Sequence, residues 1–213
     1  TAFEWGRLKM QASVLGYFVH EKVERFEARP DKAVATPAFF GSFKVLKNHD
    51  LSVRAFYKRM FRMPTFNDLY YTDMGNAFLK PEYAEQFNVG LKYTRNFEKS
   101  PFMRMLDVSV DAYYNKITDK IIAYPKGQQF RWTMLNLGEV EIKGVDAVLN
   151  TQFSLGKLEV TTKFQYTYQK AIDITDPADT YYRDQIPYIP WHSGSAILAL
   201  FYKGWGLNYS FIY

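Results

Sequence analysis

The 213-residue chain contains no cysteine, which excludes structural disulfides, thiolate metal sites and cysteine nucleophiles together. Long apolar runs are missing as well. No segment approaches the ~20 consecutive apolar residues of a membrane-spanning helix, so helical membrane proteins are excluded while closed barrels stay open. Charge of one sign is gathered nowhere: 27 Lys and Arg against 22 Asp and Glu leave +5. The basic residues are spread along the chain and form no nucleic-acid arm, so no nucleic-acid partner is expected. The opening TAFEWGRLKMQ lacks the basic start, apolar stretch and cleavage site of a secretory signal.

Aromatic residues are plentiful, at 18 % of the chain with 17 Tyr and 18 Phe, and they favour strands. Alternation is the dominant pattern. In LDVSVDAYYN, Leu106, Val108, Val110, Ala112 and Tyr114 face one way, and Asp107, Ser109, Asp111, Tyr113 and Asn115 the other. KLEVTTKFQYTYQK, FNVGLKYT and GWGLNYSFIY behave alike, and period two means a sheet with one apolar and one polar face. Nine strands are expected, near 6–20, 34–47, 50–62, 83–98, 102–124, 130–154, 157–171, 188–203 and 205–213, and no helix.

The connections sort into two kinds. Short ones fall at Trp5–Gly6, Lys47–Asp50, Glu98–Pro101, Leu155–Lys157 and Lys203–Gly204; long ones fall near 21–33, 62–82, 125–130 and 172–187. Short and long alternate, as in a transmembrane β-barrel with tight periplasmic turns and long extracellular loops. Tyr and Trp crowd the strand ends, where a membrane–water boundary would suit an apolar ring with a polar tip. Bacterial single-chain barrels have an even strand number, and an open edge in lipid leaves costly unpaired backbone groups. The chain therefore reads as all-β, part of one larger antiparallel transmembrane barrel over 1–213.

The stretch FRMPTFNDLYY…GNAFLKPEYAEQFNVGLKY then becomes specific. Arg62, Pro64, Thr65, Phe66, Asp68, Leu69, Tyr70, Asn76, Leu79, Pro81 and Glu82 form a pattern that resembles the C-terminal half of the barrel in TonB-dependent outer-membrane receptors. DAYYNKITDKII (Asp111–Ile122) and NLGEVEIKGVDAVL (Asn136–Leu149) resemble the next outward strand and its return. Gly144 stands in place and Asp146 where Glu is usual. The resemblance runs from about residue 50 to the end; residues 1–49 fit by alternation only.

It implies a 22-stranded barrel in the bacterial outer membrane and an N-terminal plug domain, which this sequence does not contain. It also implies import of a ferric siderophore, haem, cobalamin or oligosaccharide, powered through the plug by the TonB–ExbB–ExbD complex. Outer-membrane lipid and lipopolysaccharide would surround the wall. No cofactor is expected.

Ligand candidates are sought in the long loops: Tyr70, Tyr71 and Asp73; Arg131 and Trp132; Tyr181, Tyr182 and Arg183. Aromatic and guanidinium groups together suit an anionic or planar ligand. Asp68 and Asn76 could add hydrogen bonds, and Pro64, Gly75 and Pro81 would set the loop's turns. Arg62, Asn76 and Glu82 are expected to organise the loop against the wall. Asp173, Asp176 and Asp179 offer hard oxygens, but without EF-hand spacing they read as a solvated acidic loop. His192 and Ser193 are strand neighbours facing opposite ways, so no catalytic triad forms and no enzyme is expected. A passive porin and a soluble β-rich binding module are the alternatives.

Overall fold

The computed structural model describes residues 1–22, 31–46, 50–126 and 131–213, except the side chains of Asp73 and Lys126. Ten strands form one sheet: β1 (Ala2–Trp5), β2 (Leu8–Val19), β3 (Lys32–Lys44), β4 (Asp50–Arg62), β5 (Glu82–Asn96), β6 (Met103–Lys126), β7 (Arg131–Leu155), β8 (Leu158–Asp173), β9 (His192–Tyr202) and β10 (Trp205–Ile212). Each strand pairs with its neighbours in the chain, antiparallel throughout, and no pairing joins β1 to β10. Among the described residues the wall has ten strands where nine were expected, because β1 is four residues long and too short for alternation to register. A helical segment is also present: α1 (Phe66–Tyr70) and a 3₁₀ turn at Thr72–Met74. Five residues give too little of a 3.6-residue period to detect.

In an up-and-down sheet the connections alternate between two ends. At one end the turns are tight: Gly6–Arg7, Gly156–Lys157 and Lys203–Gly204 are two-residue connections. Lys203 and Gly204 both have positive φ, +45° and +87°, the conformation whose twist matches flanking strands. The β3–β4 turn includes residues 47–49, with His49, which lie outside the described residues. At the other end, here called the rim, stand the connections 20–31, 63–81, 127–130 and 174–191; residues 23–30 and 127–130 lie outside the described residues. The expected long connection near 125–130 is instead a four-residue tip, since β6 and β7 run on to Lys126 and Arg131.

Register assigns the faces. One row reads Val53, Leu91, Val110, Ala147 and Tyr166 across five strands; another reads Leu51, Tyr93, Val108, Leu149, Phe164, Ala196 and Phe211. The opposite face carries Arg54, Gly90, Asp111, Asp146 and Thr167 in one row. Arg54 reaches over β5 to Asp111, and Asp107 takes hydrogen bonds from Thr94 (2.7 Å) and Asn150 (3.0 Å). The apolar face is open: Leu91 is 51 % exposed, Val110 41 %, Phe164 49 % and Phe211 51 %. Apolar surface this continuous is not left to water. No second sheet covers it among the described residues.

The apolar band has defined edges. On β8 it runs from Leu158 to Tyr168, eleven residues, the length of a tilted membrane-crossing strand. Phe39, Tyr57, Phe87 and Tyr114 make a chain of ring contacts on four adjacent strands near its rim side, with centroids 6.4, 4.9 and 6.2 Å apart. Directly above, Arg59, Glu85, Lys116 and Glu141 occupy the next row, so the surface changes from apolar to charged within one residue pair. Beyond Tyr114, β6 continues for twelve residues, about 40 Å of ribbon at ~3.3 Å per residue. Among the described residues no helix is long and apolar enough to cross a membrane; a barrel crosses with its strands.

The wall divides at one point. Pairing of β3 with β4 stops at Ala38–Lys58, although both strands continue toward the rim. The next residue is Pro37. Lys44 donates its backbone N–H toward β2; by alternation Pro37 is oriented toward β4, where a proline has no N–H to offer. Tyr17 and Phe61 meet across the opening, with ring centroids 5.5 Å apart, and with Leu15, Thr36 and Met60 they line a cavity of about 290 Å³ there. These two aromatics bridge the seam between strands and lie outside the membrane-edge ring.

Candidate functional site

Among the described residues of the rim, two loops pack on the β6–β7 hairpin. The first, 63–81, begins with a local sequence instruction. Thr65 caps α1: its hydroxyl accepts the Asp68 N–H (3.2 Å), while Asp68 accepts the Thr65 N–H (2.9 Å), a reciprocal capping box. A five-residue helix has no stability of its own, so tertiary contacts must hold it. Arg62 at the end of β4 donates to Asp68 (3.1 Å) and lies 3.7 Å from Glu82 at the start of β5. Glu82 also accepts the Ile121 N–H of β6 (3.0 Å). Asn76 donates to the Met134 carbonyl and accepts from the Phe78 N–H, both at 3.0 Å.

Asn136 completes the frame. Its Oδ1 accepts the Lys80 N–H (2.8 Å), and its Nδ2 donates to the carbonyls of Lys80 (3.0 Å) and Asp119 (2.7 Å). Beneath this polar lattice Leu69 and Leu79 are buried with Ile121 against Met134, each such side chain contributing about 1.5–3 kcal/mol. Gly75 is required by closeness rather than by a turn: a Cβ there would come within 2.7 Å of the Leu69 carbonyl. Asp68 and Asn76 are therefore committed to the frame. Tyr70 and Tyr71 face outward, 42 % and 58 % exposed. The Asp73 side chain lies outside the described residues.

The second loop, 174–191, is held at its two ends. The Thr175 hydroxyl accepts the Glu139 N–H (2.9 Å), and Ile174 donates to the Glu139 carbonyl (2.9 Å). Gln185 accepts from Ala171 N–H and donates to the Ile189 carbonyl, both at 3.0 Å. Ile186 is buried with Ala84, Ile117, Val140, Ile142 and Ala171. Asp173 at the end of β8, and Asp176 and Asp179 within the loop, each accept a backbone N–H two residues on, the Asx-turn role of such side chains. No group of three His, Asp or Glu suited to a metal occurs among the described residues.

Tyr181 and Arg183 are exposed and Tyr182 half-buried; Arg183 has φ +68°. Arg131 is exposed at the hairpin, and Trp132 packs on Tyr188 with ring centroids 5.6 Å apart. That contact ties the hairpin to the second loop. Among the described residues no ring contact or hydrogen bond joins Tyr70 or Tyr71 to Tyr181, Tyr182 or Arg183. Three further aromatics share the rim's exposed surface: Phe66 (82 %), Phe78 (93 %) and Tyr188 (75 %). Large exposed rings beside buried leucines were the available sequence signal, and loop periodicity does not separate the two. His192 accompanies Tyr166, its Nδ1 2.8 Å from the phenol oxygen.

A single antiparallel sheet with an open apolar belt, a polar opposite face, tight turns at one end and built loops at the other defines the wall of a transmembrane β-barrel. The family model described as TonB dependent receptor-like, beta-barrel matches residues 11–213. The chain belongs to that family. Two proteins named vitamin B12 transporter BtuB are similar in sequence. The one from Vibrio vulnificus is 32 % identical over 99 residues, 46 % of this chain and 14 % of its own length. The one from Photobacterium profundum is 34 % identical over 113 residues, 50 % of this chain and 16 % of its own length. These matches thus span less than one fifth of the relatives' length.

Two solved structures share the fold. The copper transporter OprC aligns with TM-score 0.58 and 14 % identity over 96 % of this chain and 31 % of its own. The siderophore receptor PirA from Pseudomonas aeruginosa gives 0.53 and 16 % over 97 % and 38 %.

Proposed function

We propose that this chain is part of the barrel of an active-transport receptor in the bacterial outer membrane, one that captures a scarce nutrient at its rim and imports it with TonB-derived energy. On this reading the rim is extracellular, a plug domain occupies the full barrel of 22 strands, and the TonB–ExbB–ExbD complex acts through the plug. The observation that carries the reading is the first loop: a frame of part-buried and exposed hydrogen bonds over two buried leucines, whose outward side is aromatic. Tyr70 and Tyr71, with Trp132, Tyr181, Tyr182 and the guanidinium groups of Arg131 and Arg183, suit a planar or anionic chelate.

The names of the relatives support a metal-bearing nutrient and differ among cobalamin, copper and siderophore, so cobalamin and a ferric siderophore are the first ligands to try. Uptake of each, labelled, would be measured in cells carrying the full-length receptor, with and without TonB. Accumulation that requires TonB and falls at least tenfold in Y70A/Y71A is the expected result. Accumulation that persists without TonB would make the barrel a passive pore.

A further inference from the structure

The break in the wall at Pro37 holds a cavity that the import reading leaves unused. Its volume is about 290 Å³. Ser13, Ala38 and Lys58 share one row across β2, β3 and β4, on the face that carries Arg54, and the polar face of a membrane barrel looks into its lumen. Leu15, Met60 and Arg62 stand on that face too, by alternation, so the cavity belongs to the lumenal side. Phe61 is an outer-face residue by the same alternation, yet it is 8 % exposed and meets Tyr17 of the lumenal face. Its ring stands in the break, and the cavity is lined from both sides of the wall.

Met60, Ala84, Ile117 and Val140 form one lumenal row. Toward β7 that row is covered by Ile186 of the second loop. Toward β2 it ends at the cavity, where Leu15 is 56 % exposed. Most polar groups of the lining are already engaged. The Thr36 hydroxyl donates to the Leu15 carbonyl at 3.2 Å. Arg62 is shared between Asp68 and Glu82, and Glu82 also accepts the Ile121 N–H. Arg59 lies over the Tyr83 ring, 5.7 Å from its centre. Lys58 differs: it is exposed, and among the described residues no carboxylate pairs with it. The lining thus sets three cations, Lys58, Arg59 and Arg62, against the one carboxylate of Glu82, and its free charge is a single ammonium.

We propose that this cavity binds a small amphipathic monocarboxylate, a single short aliphatic chain with one anionic head. The chain would lie between Leu15, Tyr17, Met60 and Phe61, and the carboxylate would meet the Lys58 ammonium in a charge-assisted hydrogen bond. Two features select this chemistry. Apolar walls reward a chain in proportion to its buried length, and the excess positive charge of the lining favours an anion over a neutral or cationic head. A cavity this size admits one short chain and excludes a multiply acylated lipid. The inference rests on the barrel fold and not on import.

The test uses the full-length receptor in lipid nanodiscs, with binding of radiolabelled hexanoate and octanoate read by equilibrium dialysis and empty nanodiscs subtracted. Octanoate is expected to bind about tenfold more tightly than hexanoate, since each buried CH₂ contributes about 0.8 kcal/mol. Lys58→Met keeps the apolar stem and removes the charge, and should weaken octanoate roughly tenfold while leaving octanol within about twofold. Leu15→Trp narrows the cavity and should weaken octanoate more than hexanoate. Lys163→Met, the same change on the lumenal face of β8, should leave both affinities within about twofold of wild type. Equal octanoate affinity in Lys58→Met and wild type would overturn the proposal. So would equal affinity for hexanoate and octanoate, which would mark a plain anion site, or octanol binding as tightly as octanoate. Binding to the purified receptor needs no TonB, so this result and the uptake assay stand or fall separately.

Discussion

The two rim loops rise from the same wall and are fastened in different ways. Loop 63–81 is pinned along its length: Arg62, Asp68, Asn76, Glu82 and Asn136 link it to β4, β5, β6 and β7, with two leucines buried beneath. Loop 174–191 is pinned at its ends by Thr175 and by Gln185 with Ile186, and its middle is supported by turns of its own. A loop tied to four strands presents its aromatics from a fixed platform. The second loop, tied at its base and by the Trp132–Tyr188 ring contact, can reshape the segment between at small cost, because the aspartate-capped turns travel with it. The rim thus combines a pre-set surface with an adaptable one.

Substitutions can break that contrast, and the largest effect belongs to the platform. Arg62→Ala leaves a buried Asp68 carboxylate without its cation, a cost of about 3 kcal/mol. Hydrogen exchange of the amides from Asn67 to Gly75 should accelerate roughly a hundredfold, while those of Asp176–Arg183 stay as they are. Unchanged exchange in 67–75 would mean that Arg62 does not hold the loop. Gly75→Ala comes next, at about 2 kcal/mol, because the added methyl must displace the backbone at Leu69 and Tyr70. It should expose 63–81 to protease cleavage in the folded receptor; resistance equal to wild type would refute the close-packing account.

Smaller effects test the second loop. Gln185→Ala removes two hydrogen bonds at its base and should cost about 1 kcal/mol, seen as faster exchange at Ala171 alone among the β8 amides. Asp176→Ala and Asp179→Ala should each cost under about 0.5 kcal/mol and leave nutrient affinity within twofold by titration. A larger loss of affinity on either change would make the acidic turn part of the binding surface.

The wall was legible in the sequence because alternation states the face of every strand residue. Leu106, Val108 and Val110 share a face with Leu149 and Phe164, as period two requires. Strand β1 escaped because four residues cannot show a pattern. Helix α1 escaped because a capping box at Thr65–Asp68 matters only once Arg62, Ile121 and Met134 surround the loop, and those contacts span up to 58 residues in the case of Asn76 with Met134. The reading of the 62–82 pattern set Arg62, Asn76 and Glu82 apart as loop-organising and Tyr70 and Tyr71 as ligand candidates, but it left Asp68 among the possible hydrogen-bonding groups. Asp68 and Asp73 look alike in a sequence, and only burial shows that Asp68 is committed to Arg62. Asn136, on β7, belongs to the frame and stood in the sequence only as one letter of a strand.

Pro37 carries a consequence for how the barrel yields under load. Below it β2, β3 and β4 share continuous ladders, so tension in the wall is spread over many parallel bonds. Above it no ladder joins the β2–β3 hairpin to β4 among the described residues, and the Tyr17–Phe61 ring contact slides where a ladder would shear. Pulled or heated, the barrel should unzip first along this line, the hairpin peeling outward as a unit while the strands from β4 to β10 keep their register.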